Sequence, residues 1–207
     1  MGTAGLPLVP AFQSFAWSAV YIVHIHPCVF QKGLIPLNYH LHEFCRTTGE
    51  LLASDQVRMM GRWQHHGQIT TLDHSLFVAY WSYRIARKFG WDEIAAARGG
   101  LLHDLYLYDS KDKSAHPGLQ CFDHPRAAAR NAAELTPLSE KERNIILSHM
   151  WPLGGQLPRS REAWLVDLVD TICASLELSH IYHPGRLRER MGVRPLLQGE
   201  TPAPALC

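Results

Sequence analysis

The chain has 207 residues and a formal net charge of +1, with 46% hydrophobic and 19% charged residues. That composition supports a buried core, excludes a disordered chain, and supplies no global basic field to recruit nucleic acid or an anionic membrane. Histidine is the lopsided number, 13 against 5 Met and 7 Tyr, while the 5 cysteines are scattered with no C-x-x-C pair, which argues against a disulfide framework or thiolate zinc site and for a reducing, cytoplasmic setting.

Residues 1–31 contain no Asp, Glu, Lys or Arg. Their most apolar run, Phe15–Val23, is shorter than the roughly 20 residues of a spanning helix, and the start lacks the positive charge of a secretory signal. Residues 1–40 therefore read as a non-catalytic N-terminal extension, open to poor order or to a misplaced start codon, rather than as a membrane anchor. A first helix is expected over Tyr39–Leu52, then a short one from an Asp55 N-cap through Trp63. Leu72, Leu76, Phe77, Tyr80 and Ile85 give a third helix its apolar face, ended by Gly90. Asp92 caps a fourth, in which Ile94, Ala97, Leu101 and Leu105 recur at helical spacing. After a polar loop, Asp109–Cys121, Asp123 and Pro125 open a fifth. Ser139 and Glu142 form a capping box for a sixth ending near His149, and Ser160 starts a long seventh with Leu165, Val169, Ile172 and Leu176 inward. No stretch alternates convincingly as a strand. The expected fold is all-α, a bundle of about six or seven helices within residues 41–190, followed by a loop-like tail over 191–207.

On these helices the informative residues are His74, His103, Asp104, His124, His149 and Asp170. A carboxylate entering a core, as Asp104 does after Leu101-Leu102 and Asp170 does after Val169, needs a partner or a cation. Four imidazoles and two carboxylates converging in a bundle make a mixed N/O site, suited to Fe, Mn, Co, Ni or Zn more than to Mg or Ca. Adjacent residues point about 100° apart on a helix, so Asp104 could bridge two metals with its two oxygens while His103 binds one.

The array H…HD…H…H…D resembles the HD-domain superfamily of metal-dependent phosphohydrolases. The matching stretches are Q-H-x-G with T-x-L-D-H-S (Gln64 to Ser75), L-L-H-D-L-Y-L-Y-D (Leu101 to Asp109), H-P-R-A-A-A-R-N-A (His124 to Ala132) and H-M-W-P-L (His149 to Leu153). The resemblance implies an HD-domain helical bundle and two divalent transition-metal ions. His74, His103, Asp104 and Asp170 would hold the first, with Asp104 bridging to a second held by His124 and His149. Asp167 could stand in for Asp170, but L-V-D-T-I-C-A resembles the run that carries the family's last ligand. Thr171 replaces a basic residue usual there, Leu107 stands where many members carry Lys after H-D, and the G-Y-P signature of cyclic-dinucleotide phosphodiesterases is absent.

By the same resemblance the expected activity is hydrolysis of a phosphomonoester or phosphodiester in a nucleotide or other small phosphorylated metabolite. No nucleic acid duplex or membrane is expected as a partner, and the oligomeric state is left open. Asp104 is the central catalytic residue, with His65 or His66 as the acid that assists the leaving group. Arg126 and Arg130, four apart on one helix face, and Lys113 and Arg159 near ligand positions are candidate phosphate contacts. The rival readings are an HD-type di-iron oxygenase and a non-catalytic metal-binding regulatory module. His24, His26, His40, His42, His116, His180 and His183 are assigned no role.

Overall fold

The computed structural model describes residues 37–66, 69–115, 118–179 and 185–191. The extension up to residue 36, the tail from 192, and His24, His26, His116, His180 and His183 lie outside the described residues. The chain divides after Pro36, and the unit beginning at Leu37 carries every element below.

Eight α-helices are found among the described residues: α1 (Leu37–Ala53), α2 (Asp55–Met59), α3 (Thr71–Lys88), α4 (Glu93–Leu102), α5 (Gln120–Leu135), α6 (Glu140–Ser148), α7 (Arg161–Leu178) and α8 (Gly185–Arg190). The all-α expectation holds, and no described helix is long and apolar enough to cross a membrane. One element departs from it. After a 3-10 turn at Met60–Arg62, β1 (Gln64–His66) and β2 (Ile69–Thr70) pair antiparallel. Two strands of three and two residues are too short to show alternation, which is why sequence pattern misses them.

Side chains that satisfy the first free N–H groups start most helices. Thr70 caps α3, Asp92 caps α4 and Ser160 caps α7, while Ser139 and Glu142 form the expected capping box on α6. Ser54 caps α2, displacing the expected Asp55 into its first turn. Helix α5 also starts earlier than Asp123 and Pro125 suggested, so Pro125 lies inside it. The missing N–H of Pro125 leaves the Cys121 carbonyl without a helical partner, one turn from His124.

The core is built on α3 and α4, with α6 and α7 closing over them. Leu72, Leu76, Leu101, Leu102, Leu105, Ile145 and Ile146 are fully buried. Ile94, expected inside, is 55% exposed, because it sits in the first turn of α4, before that helix enters the bundle. Two glycines set how close α4 comes. A Cβ on Gly99 would lie 2.7 Å from Ile145 Cγ2, and one on Gly100 would lie 3.0 Å from the Ala79 Cα. Gly90, at φ +65°, takes the left-handed conformation that ends α3.

Candidate metal centre

The six expected ligands come together at the junction of α3, α4, α5, α6 and α7. His74 is in the first turn of α3, His103 caps the C-terminus of α4, and Asp104 follows in the turn beyond. His124 is on α5, His149 caps the C-terminus of α6, and Asp170 is midway along α7. All six are buried. Past Asp104 the chain turns sharply, with Leu107 at φ 54°. A side chain in that region is strained by roughly 1–2 kcal/mol, and Tyr106 anchors the turn through its hydroxyl, 3.3 Å from Thr71 Oγ1.

Asp104 is the hub. Its Oδ1 lies 3.4 Å from His124 Nε2 and 3.5 Å from His149 Nε2, while its Oδ2 lies 3.6 Å from His103 Nε2 and 3.7 Å from His65 Nδ1. Asp170 Oδ1 faces the remaining pair, 2.8 Å from His74 Nε2 and 3.7 Å from His103 Nε2.

The tautomers follow from what the other ring nitrogens touch. Nδ1–H of His103 donates to the Gly100 carbonyl at 2.7 Å, that of His124 to the Gln120 carbonyl at 2.6 Å, and that of His149 to the Ile146 carbonyl at 2.7 Å. A carbonyl only accepts, so each neutral ring presents a bare Nε2 to Asp104. Two consequences test whether a cation fits. His103 Nε2 is buried with no hydrogen-bond partner, a cost native structures avoid. His124 Nε2 and His149 Nε2 approach to 2.7 Å, where two lone pairs repel unless a positive charge sits between them. A metal bonded to imidazole at about 2.0–2.1 Å brings neighbouring donor atoms to roughly 3.0–3.4 Å of each other, close to the spacings around Asp104. The donor set therefore fits a divalent cation.

The electrostatics agree. Burial lowers the His124 pKa to about 4, with His149 adding to the shift and Asp104 opposing it, so that ring stays neutral and able to ligate. His74 differs: burial would lower it, but hydrogen bonds to Asp170 and Glu177 and their charges outweigh burial and raise it to about 10. Burial would lower His103, but the Asp104 charge and Asp170 raise it, and that ring's positive charge in the metal-free fold in turn outweighs burial and holds Asp104 well below the usual carboxylate range. Asp167, the alternative to Asp170, lies outside this arrangement. Its Oδ1 has no partner, and burial with the neighbouring Asp170 charge pushes its pKa up to about 7.

Sequence reasoning passed over Glu177. Its Oε1 and Oε2 lie 3.0 and 3.1 Å from His74 Nδ1, and it is 3% exposed. The available signal was its place on the stripe Val166, Asp170, Cys173, Glu177, at helical spacing from Asp170, all of it buried. The expected inward set was centred one residue off, and Ile172 and Leu176 are half-buried at its margin.

Of the candidate acids, His65 is placed at the cluster, stacked on His74 with ring centroids 4.1 Å apart. The backbone of His66 ends β1, but its side chain lies outside the described residues. The candidate phosphate contacts are all exposed. Arg126 and Arg130 follow His124 by about 200° and 240° around the helix and open onto a groove of about 290 Å³ shared with Tyr108 and Asp123. The Tyr108 ring packs on Tyr106, whose edge meets His124 at 5.7 Å. Lys113 is in the loop before α5, and the Arg159 N–H donates to Asn144 Oδ1.

A helical bundle that buries four histidines around two aspartates, three of them grouped as His74, His103 and Asp170 and three as His103, Asp104 and His149, defines a protein able to hold metal through mixed imidazole and carboxylate donors. The HD domain family profile matches residues 71–175, a span that runs from His74 through Asp170, and the chain belongs to the HD domain family. Ribonuclease Y of Bacillus thuringiensis and Ribonuclease Y of Bacillus mycoides are each 32% identical to it over 93 residues, 39% of this chain. The match spans 18% of the length of those relatives. No solved structure gives a significant match.

Proposed function

We propose that this chain is a metal-dependent phosphohydrolase that cleaves the phosphoester of a nucleotide or other small phosphorylated metabolite at a dinuclear site. The observation that carries the reading is the division of labour at Asp104, whose Oδ1 faces His124 and His149 while its Oδ2 faces His103. With His74 and Asp170 beside His103, the donors fall into two groups that share one carboxylate. Divalent cations of the Fe, Mn, Co, Ni or Zn kind would supply Lewis acidity toward a phosphoryl group and would neutralise charge developing on its oxygens.

The chain's own groups do the rest. Backbone carbonyls lock three imidazoles so that Nε2 faces inward, and all six side chains of the cluster are buried. His65, half-buried and beside Asp104, is placed to hold a proton for the leaving alkoxide, a role also open to His66. Arg126 and Arg130 open onto the outer groove shared with Tyr108 and Asp123, and they and the exposed Lys113 and Arg159 would contact only a part of the substrate that extends beyond the cluster. Because the relatives are named as ribonucleases, phosphodiesters head the substrates to try.

The test is hydrolysis of a panel of nucleotides, sugar phosphates and model diesters by Mn²⁺- or Co²⁺-loaded protein. Turnover that disappears in Asp104→Asn, with helical content retained, is expected. Inactivity of fully metallated protein across the panel refutes the reading.

A further inference from the structure

We propose that Glu177 is a positioning residue that fixes His74 as a strong Nε2 donor and so makes the His74–His103–Asp170 end of the cluster take up a divalent cation before the His124–His149 end. The inference rests on the metal-binding reading of the site and goes beyond it by ranking the two ends and assigning the cause.

Three of the four histidines orient themselves locally. His103, His124 and His149 each donate Nδ1–H to a neutral carbonyl three or four residues earlier in their own chain segment. His74 donates instead to a carboxylate 103 residues away, with both oxygens within 3.1 Å. A carboxylate behind an imidazole fixes the tautomer and raises the donor strength of the far nitrogen more than a carbonyl does.

Glu177 occupies a position that is unfavourable to a carboxylate on its own account. It is buried, where an ionised carboxylate is costly without a partner, and it lies in the last turn of α7, where the helix dipole disfavours negative charge. His74 is its hydrogen-bond partner. The ends of the cluster are unequal in charge as a result. Asp170, Glu177 and Asp104 Oδ2 surround the His74–His103 end, whereas Asp104 Oδ1 is the carboxylate oxygen facing His124 and His149.

The experiment titrates metal-free full-length protein with Co²⁺, read by its visible absorption and by calorimetry, and repeats it with Glu177→Gln and His149→Ala. Wild type is expected to bind in two unequal steps. Glu177→Gln should weaken the tight step by roughly 10–100-fold and leave the weak step unchanged, whereas His149→Ala should abolish the weak step alone. Should Glu177→Gln fail to fold, Zn²⁺ titration of wild type followed by the histidine ring resonances decides the matter. The first equivalent should shift His74 and His103 ahead of His124 and His149. A tight step untouched in Glu177→Gln, or a first equivalent that shifts His124 and His149, overturns the proposal while leaving metal binding intact. Wild type that binds no Co²⁺ overturns both.

Discussion

Gly100→Ala is a one-methyl perturbation whose effect should reach the metal centre through the backbone. Gly100 is in α4, three residues before His103, and its carbonyl holds the His103 ring in place. The added Cβ would sit 3.0 Å from the Ala79 Cα and 3.3 Å from the Ala79 nitrogen. Both are backbone atoms of α3 that no rotamer change can move. Relieving the contact to about 3.5 Å requires α4 to retreat from α3 by about half an ångström. That is about the tolerance within which ligand constellations must be held, and His74 is on α3 while His103 and Asp104 follow α4. Two terms compete in stability. Alanine gains about 1 kcal/mol of helix propensity over glycine, and overpacking costs about 1–3 kcal/mol, for a net loss of about 0–2 kcal/mol. Gly49→Ala is the control, since its Cβ meets nothing within 4 Å in α1 and the propensity gain should appear undiminished. Urea unfolding of the metal-free proteins measures the first effect and Co²⁺ titration the second, with affinity expected to fall roughly tenfold or more in Gly100→Ala. If Gly100→Ala is stabilised like Gly49→Ala and binds Co²⁺ as wild type does, the close approach of α3 and α4 does not govern the site.

Two further outcomes follow from the charges. His74 is raised from 6.5 to about 10 in the metal-free fold, so its contribution is fully present below pH 6.5 and is lost as pH climbs through about 10. Thermal unfolding of chelator-treated protein should show that decline, amounting to at most about 5 kcal/mol at 1.36 kcal/mol per unit; a midpoint that stays level or rises from pH 7 to 10 would contradict it. Arg98 donates from Nε to Glu142 Oε1 at 2.5 Å, and Glu142 is 6% exposed. Arg98→Met should cost about 1–3 kcal/mol, and adding Glu142→Gln should recover part of it in a double-mutant cycle; strict additivity would show that the pair is not coupled.

Much of the cluster was legible because most of its members sit at or near helix ends that announce themselves. The Ser139–Glu142 box and the Asp92 and Ser160 caps fix where α6, α4 and α7 begin, and hence where His149, His103 and Asp170 fall along them. The pairing of β1 with β2 was not legible, because strands of three and two residues carry too few positions to show alternation. Glu177 was hidden for a different reason. An acid on an amphipathic helix reads as solvent-facing, and only the position of α3 shows that a histidine lies opposite. The exposed arginines carry the opposite lesson: proximity to His124 in sequence put Arg126 near the site, but helical phase turned it toward the outer groove.

The short loops that orient three of the histidines also bear on the order in which the centre forms. A hydrogen bond spanning three or four residues closes with little entropic penalty and can arise with its own turn, on the sub-microsecond scale of helix formation. The rings of His103, His124 and His149 can thus be aimed while the chain is still assembling. His74 must wait for a contact across 103 residues, which exists only after α7 has docked on α3. Folding should therefore deliver a half-built cluster first, and the last imidazole to be set is the one whose partner comes from furthest away.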